Sequence, residues 1–466
     1  MIVLSIYLIL LLTIGILDFR KVKNFNDYVL AGRKQSFIIV TVSLMASMIG
    51  SGSTIGLADK TYTKGFPAIW FLAVGGIGLI LQSLLLSEKV RKSEAVTLPD
   101  LAEKTMGNST RVLVAFIIVI TWVGIIAAQF IAAGKIITAL TGLDSFWVLT
   151  LSAAVIVIYS YLGGQASILK TDFLQFSILF IAVVFTVIFL YSVTPPPPGE
   201  IRIELLNSSF TGKDLFYYLT IVMGSYFICP MMFSRLLTAK NPETAKKASM
   251  IAGIGVLGFA VLIVLIGLWG KANIENPGKA GVLSWIFVNE LPKAGGVILI
   301  LGILSAIIST TDTCLLMTAS IIEYDIINPL TKKYSKSTKS NGKSGVLLTR
   351  NIVLVLGVLG YLTAFWGNWD IIGLLLEAFE FYTAGIVPAM FIALFVINKK
   401  TLSPSWSFSA VLTGGIFGIL PKITPLISSL ESIFPGFWVK SLPIIGMFLS
   451  LALAITAAAK GKVKVS

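Results

Sequence analysis

The sequence predicts an all-α polytopic membrane protein with about thirteen transmembrane helices. Of its 466 residues, 56% are hydrophobic and only 12% are charged, and the mean hydropathy is +0.92. Soluble domains keep about a quarter of their residues charged, so this composition excludes that class. Apolar runs that can cross a hydrocarbon layer of ~30 Å, which takes about 20 helical residues, recur along the whole sequence.

The predicted spans follow these apolar runs in chain order. The first run lacks the basic start and the small-residue cleavage site of a secretory leader, so we expect it to be retained as a helix. The predicted spans are 1 to 17, 37 to 57, 66 to 87, 112 to 138, 145 to 162, 171 to 193, 213 to 238, 248 to 270, 294 to 325, 346 to 366, 370 to 396, 405 to 420 and 441 to 459.

The positions of lysine and arginine predict the orientation. Short cytoplasmic loops collect these residues, and here they concentrate in alternate loops, from the first one with Arg20 and Lys21 to a later one with Arg235 and Lys240. We therefore expect a multi-pass protein of the inner (plasma) membrane with its N-terminus outside and its C-terminus in the cytoplasm. Most of the net charge of +14 then reflects topology. Because the charges are dispersed among short loops, a nucleic-acid partner is not expected.

The cysteine and histidine contents exclude several kinds of site. Cys229 and Cys314 both lie in hydrophobic segments, so no disulfide framework is expected. Histidine is absent, which removes HExxH zinc sites and Ser-His-Asp hydrolysis. No segment longer than a loop remains for a soluble catalytic domain. We therefore expect that the protein is not an enzyme.

Carboxylates stand out at three places within the apolar segments. Such residues are costly in a membrane and by default mark an ion or substrate path. Asp172 begins the sixth span, Asp312 lies in the polar run SAIISTTDTCLL at 305 to 316, and Glu377 and Glu380 share a helix face. Alternatively, Asp172 only complements a helix dipole, and the two glutamates only face an aqueous vestibule.

The second span carries the segment SLMASMIGSGSTIGLADKTYTKG, residues 43 to 65. Glycines and serines interleave in its middle, which disfavours a continuous helix and predicts a broken one. Carbonyl groups freed by a break are tolerated at this depth only where they line a cavity, and there they can coordinate a small cation. The alternative is a Gly/Ser face for close helix packing.

Four segments resemble the sodium:solute symporter family, whose members include the proline, pantothenate, sialic acid and sodium/sugar cotransporters. They are ASMIGSGSTIGLA in the second span, YSYLGGQASILKTDFLQ at 159 to 175, PMMFSRLLTAKN at 230 to 241 and SAIISTTDTCLLMTASII at 305 to 322. The resemblance implies a leucine-transporter-like 5+5 inverted repeat with one extra N-terminal helix and two extra C-terminal helices.

The implied division of the chain follows from this repeat. Residues 1–36 form the extra N-terminal helix and the first cytoplasmic loop, and 37–193 form the first five-helix repeat. An outer Pro-rich loop at 194–212 leads to the first four helices of the second repeat at 213–366. The last core helix is 367–396, and 397–466 hold the two additional helices and the cytoplasmic tail.

The resemblance also implies Na⁺ as the coupling ion and assigns candidate ligands. The shared sodium site matches the carbonyls of Ala46, Ile49 and Ala306 and the hydroxyls of Ser309 and Thr310. Positions 306, 309 and 310 share one helical face, as such a site requires. Some relatives bind a second sodium ion through the residue that matches Asp172, and Asp312 and Thr313 are further candidates for it here.

The implied solute pocket lies at the break and on the helices opposite. Its candidate residues are Met48, Gly50, Gly52, Ser53, Trp70, Gln129, Ser225, Tyr226 and Glu377. No arginine is expected at central depth to clamp a carboxylate. The implied function is sodium-coupled symport, by alternating access, of a small polar organic solute such as an amino acid, an organic acid or a sugar-like compound.

Two other functions remain open at this point. A proton-coupled carrier on the same scaffold would use Glu377, Glu380, Asp172 or Asp312 instead of the neutral oxygens. A transporter-like sensor would need a signalling domain, for which we expect no room after residue 466. The expected partners are the solute, sodium ions and the lipid bilayer, and the protein could act as a monomer.

Overall fold

A computed structural model of the chain describes residues 2–19, 25–278, 281–331, 343–367, 370–396, 400–423 and 441–463. Nearly all of the described secondary structure is helical. The two described strands, β1 (Lys400–Thr401) and β2 (Lys462–Val463), form a short antiparallel pair.

The first half of the chain alternates long helices with short ones. The α-helices are α1 (Ile2–Phe19), α2 (Phe25–Leu30), α3 (Phe37–Met48), α4 (Leu57–Lys64), α5 (Trp70–Leu85), α6 (Ser87–Lys92), α7 (Leu98–Met106), α8 (Asn108–Thr141), α9 (Ser145–Leu162) and α10 (Gln165–Val193). A π-helical turn, Gly52–Gly56, precedes α4, and 3₁₀ turns cover Ala31–Arg33 and Phe66–Ile69.

The second half has the same mixture of long and short helices. The α-helices are α11 (Gly212–Tyr217), α12 (Met223–Phe227), α13 (Pro230–Thr238), α14 (Pro242–Asn273), α15 (Val282–Asn289), α16 (Lys293–Ile321), α17 (Asn328–Thr331), α18 (Lys343–Trp366), α19 (Ile371–Val396), α20 (Pro404–Ile423) and α21 (Leu442–Ala459). Tyr218–Val222 and Ile322–Ile327 are π-helical turns.

The predicted number of spans is not confirmed. By length and composition, ten helices of the described part can cross a membrane, or eleven if the bent second span counts as one. Helices α1 and α20 do lie where the first and twelfth spans were predicted. Residues 424–440, between the last two predicted spans, lie outside the described residues.

The predicted break in the second span is confirmed. The axis of the span bends by 66° between the segments Phe37–Met48 and Gly52–Lys64. Ile49, between them, has non-helical backbone angles, with φ −96° and ψ 83°. The second half extends to Lys64, beyond the predicted end of the span at residue 57. The break therefore lies in the middle of the crossing.

A second break separates α12 from α13. Ile228 and Cys229 are extended, and Pro230 begins α13, a position where a missing N–H and a fixed φ are tolerated. Side chains from two other helices satisfy the interrupted backbone. The Gln82 Nε2 donates to the Phe227 carbonyl at 2.9 Å, and the Tyr382 hydroxyl donates to the Ile228 carbonyl at 2.6 Å.

The two broken helices are joined at the ends that lie far from their breaks. The backbone N–H of Gln35, just before α3, donates to the Thr238 carbonyl at 3.1 Å, and the Lys240 N–H donates to the Gln35 carbonyl at 3.0 Å. The Arg91 Nε adds a bond of 2.6 Å to the Ala239 carbonyl. The end of α13 is therefore fastened to the start of α3.

Helix α16 runs through the centre of the bundle. Every residue from Gly302 to Ile321 is buried, which is the pattern of a helix enclosed on all sides. Helices α3, α8, α10 and α18 pack around it. The polar run 305 to 316 is therefore placed inside the protein and faces other helices instead of lipid.

A buried ion pair fastens the end of this central helix. The Arg111 Nε of α8 lies 2.7 Å from the Asp325 Oδ1 in the π turn after α16, and the Thr97 hydroxyl donates to Asp325 Oδ2 at 2.7 Å. Asp325 is fully buried. Arg111 also pairs with Glu103 of α7 and donates to the Tyr324 carbonyl. The network connects α7, α8 and the turn that ends the central helix.

Candidate functional site

A central cavity lies between the two helix breaks. It collects most of the predicted solute-binding residues, together with Thr310 of the predicted sodium site. The predicted residues in its lining are Met48, Gly50, Gly52, Ser53, Gln129, Ser225, Tyr226 and Thr310. The sequence analysis did not name the remaining lining residues, which are Ser47, Phe71, Trp122, Ile125, Cys229, Met231, Met232, Leu375 and Phe379.

Two predicted solute-binding residues lie outside this lining. The Trp70 indole N–H donates to the Leu205 carbonyl at 3.0 Å, in the loop before α11. Glu377 forms an ion pair with Lys422 at 2.6 Å and lines a second cavity. Phe71 and Leu375, not Trp70 and Glu377, occupy the space next to Gly52 at the break.

The lining of the central cavity is mostly apolar. No charged side chain belongs to it among the described residues, and it contains three methionines and a cysteine. Few of the buried polar groups in this lining lack a hydrogen-bond partner among the described residues. The Ser47 hydroxyl, the Trp122 indole N–H and the Thr310 hydroxyl are buried, and none has a hydrogen-bond partner in the described part of the chain. Small-molecule sites of this kind bury an apolar body and orient it through a few polar groups.

The first break is held open by a side chain of α8. The Gln129 Oε1 accepts a hydrogen bond of 3.0 Å from the Ser51 N–H, which lost its place in the helix ladder at the break. The Ser53 hydroxyl donates to the Met48 carbonyl at 3.0 Å. These bonds satisfy the interrupted backbone and keep its polar groups beside the cavity.

Helix α16 passes the first break at Thr310, one of the predicted sodium ligands. A Cβ on Gly50 would lie 2.7 Å from the Thr310 hydroxyl, so this hydroxyl lies directly against the break. Ala306 and Ser309 lie on the same face of α16, and Ala46 and Ile49 end the half-helix opposite. The Ser309 hydroxyl donates its hydrogen to Asp172 Oδ1 at 2.5 Å, which leaves its lone pairs available to a cation.

The candidates for a second sodium ion surround a buried arginine. Arg235 of α13 donates from Nη2 to Asp172 Oδ2 at 3.3 Å and also to the Thr313 hydroxyl. Its Nε donates to the Ser43 hydroxyl at 3.0 Å. The Thr313 hydroxyl in turn donates to Asp312 Oδ1 at 3.5 Å. Asp172 and Asp312 are fully buried.

Arg235 is not among the predicted site residues. The distribution of basic residues predicts that it lies in a cytoplasmic loop, whereas its side chain is fully buried. The expectation failed because α13 turns this position towards α10 and α16. The sequence does contain an indication that Arg235 is buried, because the predicted span 213 to 238 includes residue 235.

A second cavity of about 330 Å³ lies at the end of the bundle where α4 ends and α19 begins. Its lining is polar and includes Glu377 and Glu380. The Tyr217 hydroxyl donates to Glu380 Oε1 at 2.8 Å. Phe71, which lines the central cavity, contacts the ring of Tyr218, which lines the second one. An aromatic layer therefore separates the two cavities.

Comparison with known proteins gives the family. The family model described as "Sodium:solute symporter family" matches residues 28–195 and 206–414. An osmoregulated proline transporter of Bacillus subtilis is 28% identical over 459 residues, which cover 93% of this chain and 91% of that protein. A sodium/proline symporter of Staphylococcus aureus is 26% identical over 476 residues, with 94% and 90% covered.

Solved structures give the same fold. A Na⁺-coupled sialic acid symporter aligns with a TM-score of 0.77 at 18% identity and covers 99% of this chain and 98% of its own. A nucleobase-cation-symport-1 family transporter aligns with a TM-score of 0.63 at 14% identity, with 93% and 94% covered. The predicted leucine-transporter-like fold is confirmed. The chain belongs to the sodium:solute symporter family and is a multi-pass membrane transporter that couples the movement of its solute to Na⁺.

Proposed function

We propose that the solute is a small amino acid with an apolar body, for which proline is the model. The observation that carries this proposal is the lining of the central cavity, which is rich in methionine and aromatic side chains and has no charged side chain among the described residues. The relatives named as proline transporters support the same class. The charged groups of the amino acid would meet the backbone ends at the break and the few unpaired polar side chains.

Uptake into liposomes tests the solute class. Purified protein is reconstituted, an inward sodium gradient is imposed, and the accumulation of labelled proline, alanine, pyruvate and glucose is compared. We expect sodium-dependent accumulation of the amino acids only. Accumulation of pyruvate or glucose without the amino acids would overturn the solute class and leave sodium coupling intact.

We also propose that sodium binds between the first break and α16. The ligands are the carbonyls of Ala46, Ile49 and Ala306 and the hydroxyls of Ser309 and Thr310, a group that we call the sodium cage. The buried Thr310 hydroxyl, unpaired in the described structure and pressed against Gly50, supports this assignment. Neutral oxygens from an interrupted helix are the ligands that transporters of this architecture offer to Na⁺.

The melting temperature in sodium chloride against potassium chloride tests the cage. A ligand that binds only the folded state stabilises it by about 2.7 kcal/mol at one hundred times its Kd, so sodium should raise the melting temperature of the wild type. The variant Ser309→Ala/Thr310→Ala should lose that shift. Thr311→Ala is the matched control, because the Thr311 hydroxyl bonds to the Ile307 carbonyl of its own helix. Equal melting temperatures in the two salts for the wild type would favour the buried carboxylates and proton coupling.

The orientation is a further part of the proposal. The distribution of lysine and arginine supports a plasma-membrane protein with its N-terminus outside and its C-terminus in the cytoplasm. The second cavity then opens to the outside, and the joined ends of α3 and α13 face the cytoplasm. Protease access to a tag at either terminus, in intact cells and in inverted vesicles, tests this orientation.

We also propose that the protein acts as a monomer. The molecular mass of the purified protein, after the mass of the bound detergent is subtracted, tests this oligomeric state.

A further inference from the structure

We propose that Arg235 is the resident cation of the second ion site, so that this protein carries a single sodium ion per solute. The proposal rests on the sodium cage proposed above. It concerns the cluster of Ser43, Asp172, Arg235, Asp312 and Thr313, which we call the arginine cluster. The residues that resemble a second sodium site are present, but a protein side chain already supplies the positive charge.

The guanidinium of Arg235 occupies the place of a bound cation. Its Nε and Nη2 together contact three oxygen-bearing side chains, from Ser43, Asp172 and Thr313, which come from three different helices. Nη1 donates to Ser234 Oγ at 3.2 Å. Arg235 is fully buried with its donors directed at these oxygens. A sodium ion at Asp172 and Thr313 would have to displace it.

The charges of the cluster nearly balance without a second sodium ion. With both carboxylates ionised, Asp172 and Asp312 contribute two negative charges and Arg235 contributes one positive charge. Asp312 has no ion pair in the described part of the chain, and its Oδ2 is buried. Arg235 therefore balances one of the two carboxylates, and the other must either take up a proton or be balanced by a nearby cation, because an uncompensated buried charge is costly. A single monovalent cation in the adjacent sodium cage balances it. Without Arg235 the same balance would require two.

Asp172 connects the arginine cluster to the sodium cage. Asp172 Oδ1 accepts the hydrogen of Ser309, a proposed sodium ligand, while Asp172 Oδ2 accepts from Arg235 and from Ser43. Arg235 therefore fixes the carboxylate that orients the Ser309 hydroxyl with its lone pairs free. It is a positioning residue for the bound ion, and it does not contact that ion itself.

Sodium binding to purified protein in detergent tests the proposal. The bound ²²Na⁺ is counted at saturation, and the steepness of the binding curve is measured, since a Hill coefficient cannot exceed the number of sites. We expect one sodium ion and a Hill coefficient near 1 for the wild type. Arg235→Gln should bind two ions, with a steeper curve. Arg235→Lys, which retains the charge, should bind one.

A charge-matched double variant completes the test. Arg235→Gln/Asp312→Asn removes one charge of each sign, leaves the net charge of the cluster unchanged and keeps the Asp172 carboxylate that accepts from Ser309, so it should bind one ion. Two ions bound to the wild type, or one ion bound to Arg235→Gln, would overturn the proposal. If Arg235→Gln does not fold, the wild-type count decides. Failure of the cage is distinguishable, because Thr310→Ala would then leave sodium binding unchanged.

Discussion

Replacing Gly50 by alanine is expected to weaken sodium binding by about tenfold or more, which corresponds to about 1.4 kcal/mol. The added Cβ would lie 2.7 Å from the Thr310 hydroxyl and 3.1 Å from Gln129 Oε1. Gln129 bonds to the backbone at the break and Thr310 is a proposed ligand of the ion, so the methyl group must displace one of them. The sodium concentration that gives half of the maximal rise in melting temperature measures the loss, and sodium-driven uptake should fall with it.

Gly258→Ala is the matched control for this substitution. Gly258 lies inside α14, and no heavy atom lies within 4 Å of the position of its Cβ among the described residues. Alanine is favoured over glycine by about 0.5–1 kcal/mol in a helix interior, so this variant should be as stable as the wild type or slightly more so and should bind sodium normally. Unchanged sodium affinity in Gly50→Ala would contradict the contact between α16 and the break.

Removing Arg111 is expected to have the largest effect on stability. Arg111→Met leaves Asp325 fully buried without its cationic partner, and breaking a buried ion pair from one side typically costs about 3–5 kcal/mol. The melting temperature in detergent should fall markedly, in sodium and in potassium alike. A loss confined to sodium would instead assign Arg111 a role in ion binding.

Two further variants separate the buried pair from its exposed neighbour. Glu103 is partly exposed, and Glu103→Gln should cost no more than about 1 kcal/mol. The double variant Arg111→Met/Asp325→Leu removes both buried charges and should recover much of the stability, because apolar replacement of a buried pair is often neutral. A double variant no more stable than Arg111→Met would show that the other contacts of Arg111, such as the bond to the Tyr324 carbonyl, dominate.

The sequence predicts the helices and the first break well because both depend on local composition. Apolar length determines which segments can cross a membrane, and the glycines around Gly50 determine where a helix fails. The neutral oxygens of Ser309 and Thr310 stand at helical spacing, so their common face is also a local property. The number of spans was predicted less well, since the ends of apolar runs do not determine which helices cross completely.

The remainder of the site depends on how distant helices are packed. Arg235 and Asp172 are far apart in sequence, and nothing local to either predicts that they meet. Glu377 shares a helix with residues of the central cavity, yet its position relative to Leu375 places it on the other side of an aromatic layer. The pairing of Arg111 with Asp325 is hidden for the same reason, because each residue alone resembles a charge at the end of a span.

The bonds between Gln35 and the segment after α13 have a consequence for the transport cycle. They join the outer ends of α3 and α13, the two half-helices that lead to the breaks. If α3 and α13 pivot at Ile49 and Ile228, these bonds make the two half-helices move together. Opening at this end of the bundle is then a single concerted movement, which couples the release of the ion to the release of the solute.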